Sequence, residues 1–323
     1  MNSGKHATHY RGEPAAADIH RQIIPDTLAG KRMDQALAIL FPDYSRGQLQ
    51  QWIRDASVTV DGKSCTTRTK VHGGELVVVK AQPHASELAF RAEDIPLKIV
   101  HEDDAILVID KAAGLVVHPG SGNWSGTLLN ALLQHLPQNA SLPRAGIVHR
   151  LDKDTSGLLV VAKTLVAHTE LVRQLQARTV GRTYAAIVHG SIHTEGLVEE
   201  PIGRHPRDRK RMAVVARGKP ATTRYAPVET GAGWTLLSCR LETGRTHQIR
   251  VHLSSIGHAL IGDPVYKPRR MAAALPECAR QFPRQALHAR QLRLDHPITG
   301  ECTQWDSPLP EDLAALLHCL RNA

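Results

Sequence analysis

What most constrains the fold of this chain is the order in which two periodicities succeed one another. Leu28 to Phe41 and Ser45 to Asp55 carry apolar residues at helical spacing, Met33, Leu37 and Leu40 in the first and Leu49, Trp52 and Ile53 in the second. Ser45 is suited to cap the second helix. Strand-like runs follow, Val58 and Val60 around a threonine and then Leu76 to Val79, with the turn Asp61-Gly62 between them. Further on, Leu97 to His101, Ala105 to Asp110, Leu158 to Ala162, Thr183 to Val188, Thr223 to Val228, Thr235 to Leu241 and Leu287 to Leu294 read as strands. Gly126 to Leu136, Val166 to Gln176 and the amphipathic stretch Glu311 to Leu320 read as helices. The steady strand-helix alternation of a doubly wound sheet is missing, so the order predicts an α+β fold with a mixed, mostly antiparallel sheet. It also predicts a flexible polar arm over residues 1–26, a small helix-helix-strand domain over 27–82, a linker over 83–94 that contains Pro83, and a larger domain over 95–323.

The chain has 323 residues, and its 40 Lys and Arg against 31 Asp and Glu leave a net charge of +9. Such a surface attracts polyanions, nucleic acid first among them. Aromatic residues make up only 4%, which argues against a platform that stacks long single strands. Cys65, Cys239, Cys278, Cys302 and Cys319 are odd in number and contain no CxxC pair, so neither a disulfide framework nor a zinc site is expected, and a reducing cytoplasm is. Met1 to Ile19 has no apolar signal region, and no apolar run approaches the roughly 20 residues that span a bilayer, so a soluble, unexported protein without membrane contact is expected. The closest histidine cluster, His247 and His252, is five apart and lacks the HExxH arrangement, so no metal is expected. Nor is a nucleotide cofactor, because Gly120-Ser121-Gly122 lacks the spacing of a phosphate-cradling loop.

The stretch His149 to Gly157, HRLDKDTSG, sets Asp152 near an arginine just after the apolar run Ala145 to Val148. A carboxylate beside a fixed cation stays ionised even when partly buried, and can then serve as nucleophile or base. Aspartic proteases use a similar Asp-Thr-Gly loop, but they need two carboxylates sharing a proton and this chain has one copy. Thr155, Ser156 and Gly157 are expected to form the turn behind Asp152, with His149 as further loop support and the glycine permitting a tight backbone. RHPRDRKRM at 204–212 is the densest basic patch, with Arg204, Arg207, Arg209, Lys210 and Arg211 against Asp208, suited to tracking phosphates. Lys31, Arg32, Arg46 and Arg54 lie on or beside the first two helices and suit recognition of RNA shape.

Four segments acquire meaning together: DKAAGLVVHPGSGN at 110–123, GIVHRLDKDTSG at 146–157, RTYAAIVHG at 182–190 and LETGRTHQIRVHL at 241–253. Jointly they resemble the RluA-type pseudouridine synthases. IGHALIGDPVY from Ile256 and RQALHARQLRL from Arg284 extend the likeness, which runs from residue 95 to residue 310. The first domain resembles the S4-type RNA-binding domain. The resemblance implies the pseudouridine synthase fold, Asp152 as the catalytic aspartate, Arg250 paired with it from a helix starting near Thr246, and Tyr184 stacked on the target base and assisting proton loss from C5. Arg150 resembles the arginine that fills the space of a flipped nucleotide, the other reading being a second structural ion pair. Flipping is needed because a stacked, paired uridine hides its glycosidic bond. No cofactor is implied. The implied partner is ribosomal RNA or the pre-ribosomal large subunit, met by a monomer, with the helix 69 stem-loop of large-subunit RNA as target. Other ribosomal or transfer RNA uridines remain open as targets, as does a non-catalytic assembly factor on the same scaffold. The carboxylate could either add to the nucleoside or take the ribose 2′ proton. Ala112, Ala259 and Lys267 depart from the family pattern at positions where proline, proline and glycine are common, which bears on target choice and not on the reacting groups.

Overall fold

The computed structural model describes residues 18–81, 90–120, 123–208, 211–268 and 275–323. They fall into two units with separate apolar cores, one within residues 18–81 and one within 90–323.

The first unit contains β1 (Asp18–Ile23), α1 (Met33–Leu40), α2 (Arg46–Arg54), β2 (Val58–Val60), β3 (Lys63–Ser64) and β4 (Leu76–Ala81). The strands form an antiparallel sheet in the order β1-β4-β2-β3. Met33, Ala36 and Leu37 of α1 and Leu49, Trp52 and Ile53 of α2 share one core with Val58, Val77 and Val79. Ser45 caps α2, its Oγ accepting the Gln48 N–H at 3.3 Å. β1 corrects the expectation of a free arm up to Asp26. It is held by backbone pairing to the edge of β4, while its Ile19 and Ile23 stay exposed, so hydropathy gives no sign of it. Residues 1–17 of that arm, and 82–89 with most of the expected linker, lie outside the described residues. The end of the linker belongs to the second unit: Asn130 Nδ2 donates to the Arg91 carbonyl at 2.7 Å, and the Gly126 N–H donates to Glu93 at 3.0 Å.

The second unit comprises β5 (Ile99–Glu102), β6 (Ile106–Lys111), α3 (Leu128–His135), β7 (Ser156–Ala162), α4 (Leu165–Ala177), β8 (Gly181–His189), β9 (Gly196–Glu199), β10 (Ile202–Arg204), β11 (Met212–Val214), β12 (Thr222–Gly231), β13 (Trp234–Leu241), α5 (Gln248–Ser255), α6 (Glu277–Arg280), β14 (Leu287–Asp295), β15 (Cys302–Asp306) and α7 (Glu311–Arg321). Among the described residues its main sheet runs β5-β6-β7-β14-β8-β13-β12-β9, with β15 on the far end of β14. Among the described strands only β7 and β14 pair in parallel, so the α+β expectation with a mostly antiparallel sheet holds. All seven residues of β7 are buried: Leu159 and Val161 face the cluster that holds α3, and Leu158 and Val160 face the cluster with Leu171 of α4. Burial on both faces explains its continuous apolar run.

Cys278 of α6 and Cys319 of α7 are joined by a disulfide, correcting the expectation that the cysteines stay unpaired. Both helices pack into one cluster with Ala279, Leu316, Leu317 and Leu320, which brings together two cysteines that sequence spacing leaves unrelated. Cys65, Cys239 and Cys302 are free. Among the described residues no helix is long and apolar enough to cross a membrane.

Candidate active site

Asp152 sits in the loop that leads into β7, after the buried Leu151. The Thr155 N–H donates to the Asp152 carbonyl at 3.1 Å and closes a turn. Ser156 and Gly157 are already strand, not turn as expected, because parallel pairing of Ser156 with His288 and of Gly157 with Ala289 begins ahead of the apolar run. Gly157 is required there: its φ is +112°, and a Cβ would stand 2.3 Å from the Ala289 carbonyl oxygen. His149 supports the same strand, its Nε2 accepting the Val160 N–H at 3.1 Å. Burial, with the nearby Arg182 charge added, pushes the His149 pKa down to about 3, so the ring is neutral.

Three further side chains brace this loop. Gln285 Nε2 donates to Thr155 Oγ1 at 3.2 Å. Arg284 donates from Nη1 to the Asp154 carbonyl at 3.0 Å, while its Nε and Nη2 hold Asp312 of α7 at 2.6 and 2.9 Å. Lys111, buried at the end of β6, donates to the carbonyls of Ala112, Leu115 and Lys153 at 2.7, 2.9 and 2.9 Å. Its ammonium thus ties two loops together, and burial lowers its pKa to about 7 against the attraction of Asp154 and Asp152.

Arg250 of α5 donates from Nη1 to Asp152 Oδ2 at 3.0 Å. The same guanidinium grips Asp263, Nε to Oδ2 at 2.7 Å and Nη2 to Oδ1 at 3.0 Å. The Asp263 side chain is fully buried, that of Arg250 is 5% exposed, and that of Asp152 is 15% exposed. Asp263 also accepts the Val265 and Tyr266 N–H groups at 2.9 and 3.0 Å, so it anchors the arginine from behind. Burial alone would lower the Arg250 pKa, but Asp263 and then Asp152 reverse this and raise it. Asp263 lay in the GDPVY segment, where nothing in spacing marked it as a partner of Arg250.

The helix carrying Arg250 starts at Gln248, later than expected, because His247 has a φ of +57° and sits at the N-cap. That turn still brings His247 Nε2 within 3.9 Å of Asp152 Oδ1. Tyr266, also unforeseen, joins the site to the β10–β11 hairpin. Its hydroxyl accepts the Met212 N–H at 2.9 Å and lies 2.9 Å from His247 Nδ1. The Arg250 and Arg211 guanidiniums stand 5.1 and 5.4 Å from its ring centroid. Tyr184 of β8 is 6% exposed, and burial raises its pKa, Arg182 opposing and Asp152 adding to the rise.

Arg150 is exposed and enters no salt bridge among the described residues, contrary to a second structural ion pair. Arg204 and Arg207 are exposed on the hairpin, whereas Arg209 and Lys210 lie outside the described residues. In the first unit Lys31 is exposed, and Arg32 and Arg46 converge on the buried Asp34 at 3.1 and 2.8 Å with half of each side chain in solvent.

Over 93% of its length this chain is 58% identical to ribosomal large subunit pseudouridine synthase D of Nitrosomonas europaea, covering 87% of that protein. The chain belongs to the RNA pseudouridylate synthase family. It matches that family over residues 105–255 and the S4 domain over residues 31–77. Synthases of the same description from Pseudomonas aeruginosa and Escherichia coli are 55% and 51% identical, over 93% and 92% of this chain and 95% and 93% of theirs. Among solved structures, human RNA pseudouridylate synthase domain containing 4 superposes with a TM-score of 0.54 at 28% identity, covering 69% of this chain and 93% of its own. For a pseudouridine synthase the geometry is apt: one carboxylate, fixed through Oδ2 by a guanidinium that cannot lose its proton, keeps its second oxygen available to a nucleoside.

Proposed function

We propose that this synthase isomerises uridines of large-subunit ribosomal RNA, with the helix 69 stem-loop as target and Asp152 as the acting group. The observation that carries this reading is Arg250 shared between Asp152 and Asp263. The buried carboxylate holds the cation in place, and the cation in turn orients the partly exposed one. In the reaction the N1–C1′ bond of uridine breaks, the uracil turns, a C5–C1′ bond forms, and the C5 proton moves to N1 by way of a base, so nothing is gained or lost overall. Asp152 serves either by adding to the nucleoside or by taking the ribose 2′ proton. The buried Tyr184 supplies a ring for the uracil to lie on, and the exposed Arg150, in no salt bridge among the described residues, fills the gap left by a flipped base. The names of the relatives support large-subunit RNA as the substrate.

The test is complementation of cells lacking this protein, followed by mapping of pseudouridine across ribosomal RNA. Wild-type protein is expected to restore the helix 69 modifications, whereas Asp152→Asn binds RNA with near-normal affinity and restores none. Pseudouridine at helix 69 in the Asp152→Asn strain would overturn the role of this carboxylate. Restored modification only at other sites would overturn the target.

A further inference from the structure

Arg182 opens the third of the four characteristic segments, and the isomerisation chemistry leaves it without a task. It precedes Tyr184 by two residues on β8, so both side chains leave the same face of the strand. It is 7% exposed, its Nε has no hydrogen-bond partner, and no carboxylate pairs with it among the described residues. Other buried cations nearby are matched: Arg250 by two aspartates, Arg284 by Asp312 and Lys111 by three carbonyls. A lysine so placed could shed its proton, but a guanidinium cannot, and an uncompensated buried charge costs stability.

The tip of Arg182 points to an anion that is not part of the protein. Its Nη1 reaches Gly244, an exposed residue in the loop between β13 and α5, where a Cβ would stand 2.7 Å from that nitrogen. Glycine therefore clears the way for the guanidinium to meet the surface. Three residues later His247 stands 3.9 Å from Asp152, and the Arg182 charge acts on both Tyr184 and His149. The open fork thus lies beside the reacting groups. An RNA chain threading its uridine into this site carries a phosphate on each side of the target, and a guanidinium matches a phosphate with two parallel hydrogen bonds.

We propose that Arg182, with Gly244 giving its tip clearance, forms a subsite for an RNA backbone phosphate next to the target nucleotide. The proposal rests on the reading of the site as RNA-modifying, so binding is measured apart from turnover. Arg182→Met and Gly244→Ala are each made in the wild-type chain and in the Asp152→Asn chain. Large-subunit RNA transcribed without modification serves as the probe, over a range of salt concentrations.

Arg182→Met is expected to melt no lower than its parent, since an unpaired buried charge is removed, yet to bind RNA at least tenfold more weakly. The slope of log Kd against log salt should fall by about one, as for the loss of one phosphate contact. In the active chain kcat/KM falls at least tenfold, mostly through KM. Gly244→Ala displaces only the flexible end of Arg182, so it folds normally and shows the same weakened, less salt-sensitive binding. A lower melting temperature for Arg182→Met together with unchanged affinity and slope in both variants would overturn the subsite and mark Arg182 as structural. Weakened binding by both variants in a wild-type chain that makes no pseudouridine would uphold the subsite and refute the proposed reaction instead.

Discussion

A guanidinium shared by two carboxylates fixes the partly exposed one, Asp152, through the fully buried one, Asp263. Asp263 takes two of the Arg250 nitrogens in full burial and Asp152 takes the third. Asp263→Asn should therefore let Arg250 swing toward Asp152 and close over it. We expect kcat to fall at least tenfold with RNA affinity retained, and urea denaturation to show a loss of about 3–5 kcal/mol for the broken buried pair. Lys111 gives a second expectation, in stability against pH. Its pKa is about 7 in the fold and returns to 10.5 on unfolding, so between these values the unfolded chain binds more protons and stability rises with pH. Below roughly pH 7 both states are protonated and this contribution is flat. His118 and His149 have folded pKa values of about 4 and 3 and change stability only below their ordinary 6.5, while Cys239, raised to about 12, acts in the opposite sense above 9. From roughly pH 7 to 8.5 Lys111 therefore dominates, with a gain of about 1.5 kcal/mol that Lys111→Met should abolish in denaturant titrations. Asp152 and Arg250 were legible because each sits in a distinctive motif. Asp263 and Lys111 were not, since their roles come from charges buried together by the fold, which spacing does not encode.

The parallel junction of β7 with β14 and the braces from Arg284, Gln285 and Lys111 hold the loop that carries Asp152. A Cβ at residue 157 would press on Ala289, and φ there is one that L side chains rarely adopt. Gly157→Ala is thus expected to cost more than about 3 kcal/mol in thermal or chemical denaturation, and no relaxation of a side-chain tip can relieve it, because the clash is with backbone. The disulfide between α6 and α7 closes a loop with a sequence separation of 41. Its reduction should destabilise the second unit by about 3–4 kcal/mol through the freedom returned to the unfolded chain, and Cys278→Ser should melt like the reduced wild type. Elements buried on both faces, such as β7 and β13, were legible as apolar runs, and α2 was legible from its cap and stripe. β9, β10 and β15 were not: each has five residues or fewer and mixed exposure, and backbone pairing to neighbours alone makes it a strand.

At the scale of the molecule, the division of labour follows from the division of cores. The apolar cluster of the first unit lies wholly within residues 24–81 and shares no residue with the clusters of the second unit. The two-domain plan was legible because helical periodicity gives way to strands and then, past Pro83, starts afresh; which strands become neighbours was not, since pairing joins β14 to β7 and β8 across more than a hundred residues. Both units expose cations, Lys31 with the outer halves of Arg32 and Arg46 in one, and Arg150, Arg204 and Arg207 in the other. Two weak RNA contacts on one chain act at a high effective concentration, so their joint affinity exceeds either one without any new interaction. The fragment 90–323 is therefore expected to fold and to isomerise uridine in ribosomal RNA with a kcat within about threefold of the whole chain at saturating RNA. Its KM at physiological salt should rise by about 10 to 100-fold, and the salt dependence of its binding should be shallower, because phosphate contacts of the first unit are gone. A KM equal to that of the full protein would mean that the S4 domain adds nothing to substrate capture, whereas a collapse of kcat at saturation would mean that it shapes the catalytic site itself.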